Sequence, residues 1–446
     1  MSEMQIVGPK GLPITGSLFA FRKNPLEFLR QASKEYGDVV HMRFGPRHLY
    51  LISNPDYIKE ILVTKQGHFH KAKGLQVAKA VVGEGILTSE GRQHLRQRRL
   101  MQPSFRQEHI RSYGETMVDY SEDMVNGWHD GEERLITKNM MELTLAIITK
   151  TMFGTNITEG VNDIGHAIEV GLKYVSRRAS SFIDIPEAIP TRSKREFKEA
   201  AQTLDRAIYS IIEERRKSET SGQGDLLSML LAARDEEDNT GMTDKQVRDE
   251  VMTIFVAGHE TTANTLSWTL YLLSQHPEVE QKLWDEIDHV LNGRRVTVDD
   301  LPKLKYAENI IWETLRLYPA AWMINREVTD AVEIGGHVFQ PGETLMMSQY
   351  VMHRTPEYFD QPDHFRPERF EGNLLKEIPQ FAFFPFGGGP RVCIGNHFAI
   401  MEATLILVTI AQKFQLRLIP DHPPVEPEPV VTLRPKNGLH MIVKQR

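Results

Sequence analysis

The chain has 446 residues, 40% of them hydrophobic and 25% charged, a balance that gives a globular protein material for one large core or two smaller ones. A net charge of −7 excludes a global electrostatic pull on nucleic acid, and the single cysteine, Cys393, excludes an internal disulfide and suits a reducing compartment. No apolar run approaches the roughly 18–20 residues that span a bilayer, and the first residues lack a basic-then-apolar leader, so a soluble, cytoplasmic chain without a membrane anchor is expected.

Residues 7–21 are rich in Gly and Pro and read as extended surface chain. Asn24-Pro25 then supplies an N-cap with proline at the first helical position, and Leu26, Leu29 and Tyr36 fit a helix that Gly37 closes. Residues 39–44 and 48–52 flank Gly45-Pro46 as a short antiparallel pair. Over 68–87 the periodicity is weak. Gly83-Glu84-Gly85 invites comparison with a nucleotide loop, but Thr88 stands where a third glycine is needed and no strand precedes it. Residues 92–99 are the densest basic run. A solvated helix face is its ordinary reading; yet His94 and Arg98, four apart, share a face suited to carboxylates, while Arg92, Arg96 and Arg99 lie largely elsewhere and suit an acidic partner.

From about 110 to 217 the chain is mainly helical, with a break at 185–190, and 217–242 holds exposed loops. Thr243-Asp244-Lys245-Gln246 is a capping box opening a helix that runs to Gln275, before His276-Pro277. Some 33 residues make it about 50 Å long, enough to be central. At its middle stand Ala257-Gly258-His259-Glu260-Thr261-Thr262. Gly258 costs about 1 kcal/mol against alanine, and Thr261 can bond back to the Ala257 carbonyl. Small residues, a loosened turn and an acid make a small-ligand pocket with a proton route; a helix crossing is the plainer alternative. His259-Glu260 is not a zinc-protease helix, because Ala263 replaces the second histidine.

Glu313 and Arg316 share a helical face. Residues 318–324 are apolar, 333–350 read as short strands around Gly335-Gly336 and Pro341-Gly342, and 365–370 bring Arg366 and Arg369. Phe386-Gly387-Gly388-Gly389-Pro390-Arg391-Val392 leads to Cys393, and helical spacing begins at Asn396 with Phe398, Met401, Leu405 and Val408. A cysteine at a loop-to-helix junction is biased toward thiolate by the unpaired amides there. Gly389 and Gly395 leave room for a large flat ligand, and Arg391 supplies a cation. A Pro-rich loop at 420–435 precedes a hairpin turn at Lys436-Asn437-Gly438.

The spacing Phe386-x-x-Gly389-x-Arg391-x-Cys393-x-Gly395 resembles the haem-binding signature of the cytochrome P-450 family. Residues 257–262 are similar to that family's Ala/Gly-Gly-x-Asp/Glu-Thr-Thr oxygen-activation motif. The resemblance implies a soluble bacterial-type haem-thiolate monooxygenase. Its fold would be mainly α with a smaller β-rich part, one domain over 1–446 with no fused reductase, and haem b (iron protoporphyrin IX) between the long central helix and the cysteine-loop helix. Cys393 becomes the axial iron ligand, with Ala257, Gly258, Phe386 and Gly395 around the haem and His94, Arg98, Arg326 and Arg391 on its propionates. Glu260 and Thr261 become the proton relay to dioxygen. Glu313, Arg316 and Arg369 form a structural ion network, and the 68–87 loop roofs the substrate pocket.

Leu75, Val82, Phe182, Thr253, Ala257, Ala321, Ile324 and Leu433 are its pocket candidates, suiting a lipid, terpenoid or other hydrophobic small molecule. With no second cysteine for a cluster and no room for a flavin module, electrons must come from a separate ferredoxin or flavodoxin with its reductase, docking near Arg92, Arg96 or Arg99. A peroxygenase using hydrogen peroxide and a haem sensor are the alternatives; the Glu260-Thr261 pair favours the monooxygenase.

Overall fold

The computed structural model describes residues 6–154, 161–179, 191–217, 225–235 and 239–446. Two compact units emerge, the first made of Met1–Lys73 and Trp312–Cys393, the second of Gly74–Ile311 and Ile394–Arg446.

Strands organise the first unit. Val39–Phe44 and Arg47–Ile52 form the expected antiparallel pair, and Val40, Met42 and Phe44 are buried in alternation, the period that seats one face of a strand on a core. The sheet grows to five strands in the order Val39–Phe44, Arg47–Ile52, Thr344–Met347, Ile324–Val328 and Phe69–Lys71. Only the Arg47–Ile52/Thr344–Met347 contact is parallel. Ile52, Ile61, Phe339, Leu345, Met347 and Phe381 belong to its core. Pro25–Tyr36 is a helix as expected, with the Asn24 side chain accepting from the Glu27 amide at 3.2 Å. The stretch at 7–21 departs from the extended reading: Leu12 and Gly16 pair in a tight turn, and a helix follows at Leu18–Lys23. Arg43 holds that turn through the carbonyls of Leu12 and Pro13.

Helices organise the second unit. The long helix Asp244–Gln275 has both halves of the Thr243/Gln246 capping box. It packs on Ile136–Phe153 and on Asn396–Lys413; the latter also packs on Gly114–Asn126, and Val161–Ala179 packs on Arg192–Lys217. A helix buried on nearly every side should be apolar all round, yet this one carries Thr265, Ser267 and Thr269. Each hydroxyl donates to the carbonyl four residues back, at 2.9, 2.7 and 2.8 Å, so these three groups enter the core already paired.

The C-terminal turn corrects the hairpin expectation. Asn437 and Gly438 do have positive φ, but the flanking strands do not pair with each other. Leu433–Pro435 pairs with Pro427–Pro429, and His440–Gln445 lies between Glu133–Leu135 and Phe414–Leu418. Two partner strands satisfy more of the backbone of His440–Gln445 than a three-residue hairpin arm would.

Candidate functional site

In the first unit Cys393 ends the loop that the sequence singled out. Its amide donates to the Phe386 carbonyl at 2.9 Å, closing the loop on itself, and the residue is exposed. Gly389 has φ +65°, and a Cβ there would stand 2.0 Å from the Leu62 carbonyl oxygen. Its absent side chain thus serves backbone packing. Phe386 meets Trp312 edge-on, ring centroids 5.9 Å apart. Arg391 lies on the short turn Gly389–Arg391, and Arg326 on strand Ile324–Val328, both half-buried.

Behind this loop the expected ion network is present and denser than the sequence suggested. Glu313 and Arg316 are wholly buried on the last turns of helix Lys305–Leu317. Arg316 donates to both Glu313 oxygens, at 2.7 and 2.8 Å. Arg369 reaches the same carboxylate at 2.9 Å, as does the Arg366 amide. The remaining guanidinium hydrogens of Arg316 go to the carbonyls of His353, Pro362 and His364, so one buried ion pair ties the turn at His353 to the 362–369 segment. Sequence reasoning missed His353. Its Nε2 accepts from the Phe384 amide at 3.0 Å, and burial, with the Arg316 and Arg354 charges beside it, holds its pKa well below the ordinary value. It is therefore a neutral acceptor that fixes the backbone leading to Cys393.

In the second unit the centre of the long helix differs from the rest of it. Ala257 is exposed and Gly258 and Thr261 are half-buried, whereas the residues from Val247 to Val256 and from Thr262 to Leu270 are buried. A Cβ on Gly258 would come within 2.8 Å of Ile148, so this glycine makes the crossing with Ile136–Phe153. The Thr261 hydroxyl donates to the Ala257 carbonyl at 2.8 Å, as expected. His259 is buried, with Nδ1 2.9 Å from the Phe255 carbonyl, and among the described residues no group of three potential ligands forms a metal site.

Glu260 is buried, and desolvation pushes its pKa up against the opposing pull of Thr432. Thr432 donates to Glu260 Oε1 at 2.7 Å and accepts from Asn264 Nδ2 at 3.0 Å. Neither partner was singled out from the sequence; Thr432 lies 172 residues away, beyond the reach of any local pattern. Glu402, on helix Asn396–Lys413, was also missed. It is fully buried, and desolvation raises its pKa to about 8. The Thr262 hydroxyl opposes this rise but does not offset it; that hydroxyl also bonds back to the Gly258 carbonyl at 3.3 Å, and neither Glu402 oxygen has a well-formed hydrogen bond.

The basic helix is Gly91–Met101. His94 is buried and Arg98 half-buried, one turn apart on a common face. Its other face is partly engaged within the chain. Arg96 donates to Thr240 and Gly241 and pairs with Asp235 at 3.5 Å, and Arg99 pairs with the same carboxylate at 3.3 Å. Only part of their charge is offered outward; Arg92 is exposed. Of the pocket candidates, Val82, Thr253 and Leu433 are buried, Leu75 and Ile324 half-buried, Ala257 and Ala321 exposed. Phe182 and the 185–190 break lie outside the described residues.

The residue types present fit haem. Cys393 is exposed on a loop fixed by Phe386 and His353. The middle of the long helix offers a small apolar surface next to an acid and a hydroxyl. Among the described residues no helix is long and apolar enough to cross a membrane.

Comparison with known proteins agrees with this chemistry. The family model for cytochrome P450 matches residues 7–442. The chain is 35% identical to cyclooctatin synthase of Streptomyces melanosporofaciens over 99% of its length and 95% of the relative's. It is 36% identical to cyclooctat-9-en-7-ol 5-monooxygenase of the same organism, over 92% and 89%. To pentalenene oxygenase of Streptomyces avermitilis it is 32% identical, over 93% and 91%.

Proposed function

The chain belongs to the cytochrome P450 family, and from that premise we propose how its residues carry out the reaction and on what. The enzyme is a haem-thiolate monooxygenase that oxidises a hydrophobic small molecule and draws electrons from redox partners. The haem is haem b, the chain acts as one catalytic domain over 1–446, and the donor is a ferredoxin or flavodoxin served by its own reductase. The setting is the cytoplasm. The substrate class is a cyclic terpenoid: the pocket candidates are small or apolar, and two relatives carry names built on cyclooctat-9-en-7-ol and pentalenene.

Bound haem supplies an iron centre that activates dioxygen and delivers one of its atoms to a C–H bond. Cys393 would hold the iron through its thiolate, its loop held still by the Phe386 carbonyl and by His353. His94, Arg98, Arg326 and Arg391 would hold the propionates. Burial raises the pKa of Glu260 above that of an ordinary glutamate, the direction that suits a proton donor. Thr432 pins one of its oxygens, and Thr261 would accept the Glu260 proton on its hydroxyl oxygen and release its own hydrogen, now bonded to the Ala257 carbonyl, toward the exposed surface at Ala257. Val82 and Leu433, both buried and apolar, would help exclude water there.

The observation that carries this reading is the buried, proton-retaining Glu260 beside Thr261 on the exposed turn of an otherwise buried helix. Its test is reconstitution with a ferredoxin or flavodoxin, reductase, dioxygen and pentalenene or cyclooctat-9-en-7-ol. Wild-type enzyme should form hydroxylated product. Thr261→Ala should consume reductant at a comparable rate but release most of it as hydrogen peroxide. Unchanged coupling in the variant would remove the relay.

A further inference from the structure

The Gly83-Glu84-Gly85 motif resembles an anion-binding loop without a phosphate to bind, and the structure places carboxylates where that anion would be. The Glu84 amide donates to Asp249 Oδ2 at 3.0 Å, and the Ile86 amide donates to Glu250 Oε2 at 2.8 Å. Both acids lie on the long helix and are buried. Arg248, beside them, pairs with Asp249 at 2.9 Å and donates to the Val81 carbonyl at 3.3 Å. On the loop's other side, Gln97 donates to the Glu84 carbonyl at 2.6 Å and accepts from the Ser89 hydroxyl at 2.5 Å.

The two glycines are what permit this approach. Gly83 has φ +68°, and a Cβ there would lie 2.1 Å from Asp249 Oδ1; at Gly85 it would lie 2.2 Å from Thr253 Oγ1 and 2.7 Å from the Asp249 carbonyl oxygen. Charge-assisted bonds from backbone amides to buried carboxylates are the stronger kind. The loop is therefore seated on the helix at two successive carboxylates, about three turns before Glu260 and Thr261.

We propose that Asp249 and Glu250 are positioning residues that clasp the 81–89 loop to the long helix and thereby set substrate entry and the site of oxidation. The functional half rests on the monooxygenase reading, in which the 68–87 stretch that overlaps this loop roofs the pocket; the clasp itself does not. Val82 and Thr253, buried on the two sides of the clasp, are the side chains it holds in register. Loss of the clasp frees the loop while leaving Cys393, Glu260 and Thr261 untouched in sequence.

The test uses the haem-loaded full chain and follows amide hydrogen exchange over 81–89, the association rate of 4-phenylimidazole, and the ratio of oxidation products. In Glu250→Ala and Asp249→Ala, exchange at Glu84 and Ile86 should quicken at least tenfold, 4-phenylimidazole should enter several-fold faster, and the product ratio should broaden. Glu250→Gln, which keeps an oxygen for the Ile86 amide, should restore wild-type behaviour. Gly85→Ala should loosen the loop with both acids in place and serves if an acid variant fails to fold. Unchanged exchange in the alanine variants and Gly85→Ala overturns the clasp. Faster exchange with unchanged entry and products overturns its positioning role. If wild-type protein shows neither a thiolate spectrum nor turnover, the monooxygenase reading falls while the exchange data still decide the clasp.

Discussion

Glu402 shows how far one side chain can bear on the behaviour of the folded protein. Its pKa is about 8 in the folded chain, against an ordinary value of 4.5. Between those values the folded state holds a proton that the unfolded state releases, so this group's contribution to stability falls as pH rises from about 4.5 to about 8 and is flat above that. Over the whole window the effect is on the order of a few kcal/mol. Glu402→Gln removes the titration without changing shape. The expected result is a shallower fall of unfolding free energy between pH 5 and 8 in denaturant titrations, with the variant gaining on wild type as pH rises. Parallel curves would mean that Glu402 is solvated or paired in solution. Glu260 acts in the same direction, since its pKa is raised as well. Nothing local in the sequence marks Glu402: it occupies an ordinary position on an apolar helix, and only the fold reveals that its oxygens lack partners.

At the scale of elements, sequence and structure agree wherever a local rule is strong. The capping box at Thr243, the proline-started helix at Pro25 and the alternating strand at Val39–Phe44 all form, because each is decided by neighbours along the chain. The terminal hairpin fails for the opposite reason. Its turn chemistry is correct, but pairing of His440–Gln445 is decided by Phe414–Leu418 and Glu133–Leu135, far away in sequence. Likewise Glu313 and Arg316 are visible as a pair in the sequence, whereas the carbonyl and amide groups that they bind are not. That buried network yields a stability prediction. Glu313→Gln leaves the Arg316 and Arg369 guanidiniums without their shared countercharge and should cost about 3–5 kcal/mol, read as a lowered denaturation midpoint. Glu313→Asp should cost less. A loss below about 1 kcal/mol for Glu313→Gln would show that water or another acid compensates.

For the whole molecule, the spaced motifs point to the family on their own, because haem ligation and oxygen activation constrain residue type at fixed intervals. The supports of those residues come from elsewhere in the chain. Thr432 and Asn264 stand behind Glu260, His353 behind the cysteine loop, and Asp249 and Glu250 behind the glycine loop. The central claim, that Cys393 is the thiolate ligand of a haem iron, is tested most directly by the absorption spectrum of the reduced carbon-monoxide complex. Wild-type protein should show the strongly red-shifted Soret band of thiolate ligation, and Cys393→His should lose it while still binding haem. The same red-shifted band in the variant, or its absence from haem-loaded wild-type protein, would contradict the claim.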